Sequence, residues 1–199
     1  MDVSCKALIF DLDGTLAHSI EAHNQSWAEA LNQFEIPFTR QRMNQLGGVS
    51  LKETIRILLE EADMQQDQAA VLAAKEEAFY RRVEQGIRET PLVEQVVRYF
   101  YGKLPMAVGT GCETLMAQRV LEAMGIRHYF DQLVGVEQVL HGKPAPDIFL
   151  RCAELLDTQP ECCMVFEDAE AGVQAGRRAK MQIIDVRQGW PTAAELLSL

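Results

Sequence analysis

The chain has 199 residues, 48% of them hydrophobic, which suffices for one full core with a smaller domain appended. Its formal charge of -10 comes without a basic patch of the kind that holds a phosphate backbone, so nucleic acid is excluded as a partner. No apolar run is long enough to span a bilayer, which excludes a membrane-crossing helix.

The N-terminus, MDVSCK, enters a strand almost at once, with no basic region, apolar core and small-residue cleavage site of a signal peptide, so a cytoplasmic protein is expected. The cysteines agree: Cys5, Cys112, Cys152, Cys162 and Cys163 are odd in number and lack paired metal-ligand spacing, as reduced thiols do. Ala7 to Phe10 form a continuous apolar run that reads as a strand buried on both faces, the kind found inside a parallel sheet. Asp11 and Asp13 follow at its carboxyl end, where open α/β sheets bind ligands, and Gly14 permits a sharp turn beside them. The strand-like spacing points the two carboxylates differently, so one can act as nucleophile while the other handles a proton. Asp-x-Asp-Gly is also an ordinary turn sequence. A calcium loop is excluded, because Leu16 and Ala17 stand where oxygen ligands are needed and no Glu closes the loop.

From Ser19 the pattern becomes helical, with Ile20, His23, Trp27, Ala30, Leu31 and Phe34 at helical intervals and Ser19 as N-cap. After Ile36-Pro37, Thr39 caps a short helix through Leu46. Gly47-Gly48 interrupts it, and Ser50 caps a third helix with the stripe Leu51, Ile55, Leu58 and Leu59. A longer charged helix is predicted from Gln65 to about Gln85. Residues 17–86 thus read as a small helical domain inserted between 1–16 and 87–199, which form the core. From Thr90 onward helices and strands alternate: a helix over Leu92 to Tyr101, a strand over Pro105 to Val108 ending in Gly109-Thr110-Gly111, a helix over Glu113 to Met124, and an apolar run from Leu133 to Val136. A helix over Asp147 to Leu156 follows the KPAP segment. Then come a strand from Cys163 to Phe166 ending in Glu167-Asp168, a helix over Ala169 to Ala179, a strand over Gln182 to Val186, and a surface helix within Gly189 to Leu199. The expected fold class is α/β, a parallel sheet with a helical domain inserted after the first strand.

In a parallel sheet every strand's carboxyl end faces the same edge, so Asp11 and Asp13, Thr110 and Gly111, Lys143, and Glu167 with Asp168 are expected to meet. The carboxylates offer hard oxygens suited to Mg2+. Thr110 and the neighbouring backbone N–H groups can donate to a phosphate, and Lys143 adds a compact positive charge. Taken singly, Thr110 is equally a helix cap, Lys143 a solvated loop lysine, and Glu167-Asp168 a helix-capping pair. Their joint arrival at successive strand ends favours a site.

With DLDGT at Asp11 to Thr15, VGTG at Val108 to Gly111, GKPAPDIF at Gly142 to Phe149 and VFEDAEAGVQAG at Val165 to Gly176, the sequence resembles the haloacid dehalogenase-like phosphohydrolases. The resemblance implies a Rossmann-like core with a helical cap, Mg2+ dependence, Asp11 as nucleophile, Asp13 as general acid/base and backbone metal ligand, Asp168 as side-chain ligand and Glu167 as support for the metal shell. It also implies that Thr110, Gly111 and Lys143 hold the transferring phosphoryl group. The acid at Asp13 argues against dehalogenation. The helical insert is similar to that of the beta-phosphoglucomutase-like subgroup through His23, Trp27, LGGVS at Leu46 to Ser50, and Lys75. By that resemblance His23 supports the movement of Asp13 and Lys75 reaches the substrate, while Trp27 reads rather as core. The subgroup's mutases carry an arginine directly after GVS to grip a second phosphate; this chain has Leu51, leaving Lys52 or Arg56 as substitutes. A monomeric phosphatase for a small phosphorylated sugar or sugar acid, such as fructose 1-phosphate or 6-phosphogluconate, is therefore expected. The alternatives are a mutase-like phosphotransferase and a non-catalytic sugar-phosphate-binding protein.

Overall fold

The computed structural model describes residues 5–46 and 49–197. The opening residues of MDVSCK, Gly47 and Gly48 of LGGVS, and the end of the C-terminal segment lie outside the described residues. By its contacts the chain separates into two compact units, one holding the chain up to His18 and from Ile87 onward, the other Ser19–Gly86.

The first unit is built on five parallel strands: β1 (Ala7–Phe10), β2 (Met106–Gly109), β3 (Gln132–Val134), β4 (Cys163–Glu167) and β5 (Gln182–Asp185), in the spatial order β3-β2-β1-β4-β5. β1 is central and fully buried because every residue of ALIF is apolar, the pattern a strand needs when both sheet faces are covered. Its register, Leu8 opposite Met106 and Met164, places the ends of β1, β2 and β4 side by side. The chain leaves β1 toward β2 and β3, then returns to add β4 and β5 on the other side. The crevice beside β1 is therefore a topological switch point, where open sheets bind ligands.

Alternation sorts β1 between two faces. Ala7 and Ile9 pack with Ala107, Val134 and Val165 against Ile148, Phe149 and Cys152 of the helix Asp147–Leu155. On the opposite face, Phe10 stacks on Phe166 with ring centroids 4.7 Å apart and meets Phe130 edge-on at 5.8 Å. The segment Val93–Val97, expected as plain α-helix, widens into a π-turn before Arg98–Phe100. The C-terminal helix is shorter than expected, Ala193–Leu196, and is closed by a capping box between Thr192 and Glu195.

Among the described residues the second unit contains four helices: α1 (Ile20–Gln33), α2 (Arg40–Gln45), α3 (Leu51–Glu61) and α4 (Gln68–Gln85). Trp27, Leu31, Ile36, Leu46, Ile55, Leu58, Leu59 and Val71 form its core. Caps fix the helix starts: Thr39 Oγ1 accepts from Arg42 N at 3.1 Å, Ser50 from Glu53 N at 3.3 Å, and Asp67 from Ala69 N at 2.9 Å. The Asp67 cap moves the start of α4 past the expected Gln65. Ser19 precedes α1 but makes no side-chain cap bond there, unlike the expectation. Ala17 and His18, expected in the helical insert, fall with the sheet unit instead. The reason is backbone pairing, with Thr90 N donating to Leu16 O and His18 N to Arg88 O, each at 2.9 Å.

Candidate active site

The site grows from the end of β1. Asp11 N donates to Phe166 O at 3.0 Å and so continues the ladder one residue past the strand, holding the Asp11 side chain in a buried position. The chain then turns tightly, Leu12 O accepting from the N–H groups of Thr15, Leu16 and Ala17. Gly14 stands in this turn at φ +89°, where an L side chain is strained, and a Cβ there would collide with the Asp168 carboxylate. The turn brings Thr15 Oγ1 within 3.1 Å of Asp168 Oδ1, to which it donates.

Lys143 joins the strand ends electrostatically. Its ammonium donates to Asp11 Oδ1 at 2.5 Å and to Glu167 Oε2 at 2.7 Å, and lies 4.7 Å from the centre of the Phe149 ring. Glu167 is itself held from below: its Oε1 accepts from the N–H groups of Asp168 at 3.1 Å and Ala169 at 2.9 Å. Gly172 presses against this carboxylate, leaving no room for a Cβ. Gly172→Ala is accordingly expected to push Glu167 off Lys143 and to destabilise the protein by about 1–3 kcal/mol, the usual cost of overpacking, read as a lowered thermal midpoint. An unchanged midpoint with full activity would refute this positioning role.

After β2, Thr110 is fully buried; its N–H donates to Val134 O at 3.0 Å and its Oγ1 accepts from Cys112 N at 3.1 Å. That bond uses the hydroxyl as acceptor and leaves its proton available to donate. Gly111 is exposed in the same turn and a Cβ there would meet nothing within 4 Å, so close backbone packing does not require glycine at this position. Asp13 Oδ2 accepts from Cys112 Sγ at 3.0 Å.

The cluster is net negative, and its protonation reflects that excess. Burial first, then the charge of Glu167, pushes Asp11 well above the ordinary carboxylate range, although Lys143 pulls the other way. Burial and Glu167 likewise raise Asp168 to about 6, against the bond from Thr15. Burial opposes the Lys143 charge, yet Asp11 and Glu167 together raise its pKa and keep the ammonium protonated. One lysine does not neutralise these carboxylates. Asp11, Glu167 and Asp168 each offer an oxygen, all within 4.8 Å of one another. Convergent hard oxygens with uncompensated charge fit a divalent cation such as Mg2+.

Sequence reasoning thus has Asp11, Asp13, Thr110, Lys143, Glu167 and Asp168 at adjoining strand ends, where the structure also finds them. It missed the Thr15–Asp168 and Cys112–Asp13 bonds; both residues lie inside or just after quoted motifs, but only the loop path shows the contact. In the helical unit, His23 stacks on Phe79 at 3.9 Å and its Nδ1 lies 3.1 Å from Lys75 Nζ. The two groups share one hydrogen bond, whose direction is set by the His23 tautomer. Lys75 is buried, over the rings of Phe79 and Trp27. Lys52 is exposed on the first turn of α3, while Arg56 is bonded to Glu53 and Glu60 of its own helix. Leu51 packs against the apolar core of the helical unit.

A parallel α/β core carrying a carboxylate-and-lysine cluster at its switch point is a Rossmann-like plan with a charged site at its ligand-binding edge. The family model for haloacid dehalogenase-like hydrolases matches residues 5–180, and the chain belongs to that family. It is 40% identical over 180 residues to the fructose-1-phosphate phosphatase YqaB of Escherichia coli, covering 90% of this chain and 95% of that protein. It is 30% identical over 192 residues to the beta-phosphoglucomutase of Bacillus subtilis, covering 94% and 85%. Among solved structures, a CbbY variant of Rhodobacter sphaeroides in complex with xylulose 1,5-bisphosphate superposes with a TM-score of 0.80 at 25% identity, covering 91% of this chain and 85% of that one.

Proposed function

We propose that this chain is a Mg2+-dependent phosphatase that hydrolyses small sugar phosphates, such as fructose 1-phosphate or 6-phosphogluconate, through an aspartyl-phosphate. The observation that carries the reading is the buried Asp11 carboxylate held on Lys143, with Asp168 beside it and the Thr110 hydroxyl at the next strand end. An Asp11 oxygen attacks phosphorus as the bond to the sugar oxygen breaks. Protonated Asp13 gives its proton to the departing alkoxide. As a carboxylate it then takes a proton from the water whose oxygen displaces Asp11 from phosphorus, releasing inorganic phosphate and restoring the nucleophile. Lys143 and the Thr110 hydroxyl hold the phosphoryl oxygens through both displacements, with the Gly111 backbone beside them. Asp11 and Asp168, with the Asp13 carbonyl and Glu167 in support, would hold Mg2+, which supplies positive charge for the phosphoryl oxygens. This answers how a protein with a formal charge of -10 takes an anionic substrate. His23, Lys75 and Lys52 are the proposed substrate contacts of the helical unit, and five thiols outside any disulfide suit a cytoplasmic setting for a monomer.

Hydrolysis is favoured over mutase chemistry because the position of the mutase arginine holds Leu51, which packs into the apolar core of the helical unit and offers no grip for a second phosphate. Phosphate release from a panel of sugar phosphates, with Mg2+ and with a chelator in excess, tests the reading. The expected result is stoichiometric phosphate and free sugar with Mg2+, and loss of turnover on chelation that added Mg2+ restores. An isomerised sugar phosphate without phosphate release would overturn it in favour of phosphotransfer, and binding without turnover in favour of a sugar-phosphate-binding protein.

A further inference from the structure

Cys112 has a place in the site that its sequence position does not announce. It lies in the turn after β2, two residues beyond Thr110, and both of its backbone polar groups are tied down. Its N–H donates to Thr110 Oγ1 at 3.1 Å and its carbonyl accepts from Val136 N at 3.0 Å. With the backbone fixed at both atoms, the side chain is aimed, and Sγ lies 3.0 Å from Asp13 Oδ2. The thiol is a weak donor and the carboxyl oxygen an acceptor, so the proton of this bond belongs to sulfur.

We propose that Cys112 is a positioning residue for Asp13: its thiol holds one carboxyl oxygen and thereby sets the orientation in which Asp13 hands its proton to the leaving oxygen. The inference rests on the acid/base role given to Asp13 above. The turn around Leu12 O fixes the backbone beside Asp13, and the thiol bond from the neighbouring strand end adds a restraint on its side-chain torsions. The same backbone bond joins Cys112 to Thr110 Oγ1, so one turn carries both the Thr110 hydroxyl and the thiol that holds the Asp13 carboxyl.

The test compares wild type with Cys112→Ala, Cys112→Ser and Asp13→Asn on two substrates. One is fructose 1-phosphate, or whichever sugar phosphate of the panel turns over fastest, whose alkoxide leaves only with a proton. The other is p-nitrophenyl phosphate, whose phenolate leaves without one. Since kcat/KM reports steps up to formation of the phosphoenzyme, it isolates the acid role. Cys112→Ala is expected to lower kcat/KM for the sugar phosphate about tenfold, the worth of one neutral hydrogen bond, and to leave p-nitrophenyl phosphate within about twofold. Cys112→Ser, which keeps a donor at the same place, restores the sugar phosphate, and Cys112→Ala adds nothing in the Asp13→Asn background. Unchanged sugar-phosphate kinetics in Cys112→Ala, an equal loss on both substrates, or no rescue by serine overturns the proposal. Undiminished sugar-phosphate hydrolysis by Asp13→Asn alone overturns the acid/base reading instead, so the two failures are distinguishable.

Discussion

Asp11→Asn is expected to reduce phosphate release by at least about 10^4-fold, because removal of a covalent nucleophile leaves only binding and electrostatic contributions. The fold should survive, and for a physical reason. Burial first, then the charge of Glu167, raises the Asp11 pKa, so a negative charge at this position costs stability in the metal-free protein. An amide of nearly the same shape removes that charge while Lys143 keeps its bond to Glu167. The thermal midpoint without metal should therefore hold or rise, whereas the stabilisation gained on adding Mg2+ should shrink, since one of three convergent oxygens has lost its charge. Mass spectrometry of the variant excludes deamidation back to aspartate. Turnover near the wild-type rate in an intact Asp11→Asn protein would sink the aspartyl-phosphate mechanism.

Much of this site is legible in the sequence because a parallel sheet converts chain order into spatial order. Once Ala7 to Phe10, Pro105 to Val108 and Cys163 to Phe166 are read as strands of one parallel sheet, their carboxyl ends must align, and Asp11, Thr110 and Asp168 become neighbours without any knowledge of loops. Loop-borne contacts are not legible in that way. Thr15 and Asp168 are 153 positions apart and Cys112 and Asp13 are 99 apart; each bond depends on the local path of a turn that hydrophobic periodicity does not encode. Glu167 shows the same limit in another form. The acid is visible at the strand end, but its triple engagement with two backbone N–H groups and Lys143 follows from the helix Glu170–Arg178 starting directly behind it, with Gly172 against its carboxylate.

In the helical unit, the stripe Ile55, Leu58 and Leu59 and the caps at Thr39 and Ser50 follow from spacing and hydrogen-bonding chemistry. The π-turn at Val93–Val97 does not, because VEQVV has the same apolar spacing as an ordinary helical turn. Leu51 is instructive: as sequence it is a missing arginine, and as structure it is part of a hydrophobic cluster with Phe34, Phe38 and Met43 packed on the same core.

Lys143→Met should lose both activity and stability, in contrast to Asp11→Asn. Methionine keeps the apolar stem against Phe149 but removes the only cation bonded to Asp11 and Glu167 among the described residues. Loss of a phosphoryl-oxygen donor in a desolvated site costs roughly 10^2–10^3 in kcat. Breaking a buried ion pair by deleting one partner costs about 3–5 kcal/mol, because the remaining carboxylates are left desolvated and unpaired. That cost depends on pH with a definite sign. A carboxyl whose folded pKa is raised contributes stability below its unfolded value and loses it as pH rises through the folded value. Asp168, already raised from 3.8 to about 6 by burial and by Glu167, places the wild-type window between those values, and removal of Lys143 extends it upward. The gap in thermal midpoint between wild type and Lys143→Met should then be widest in metal-free buffer near pH 8 and narrow toward pH 5, where the carboxyls take up protons. Saturating Mg2+ should close part of the gap at pH 8, since the cation supplies the charge that the lysine no longer does. A gap that stays constant with pH and metal would show that Lys143 stabilises the site through packing against Phe149 rather than through charge.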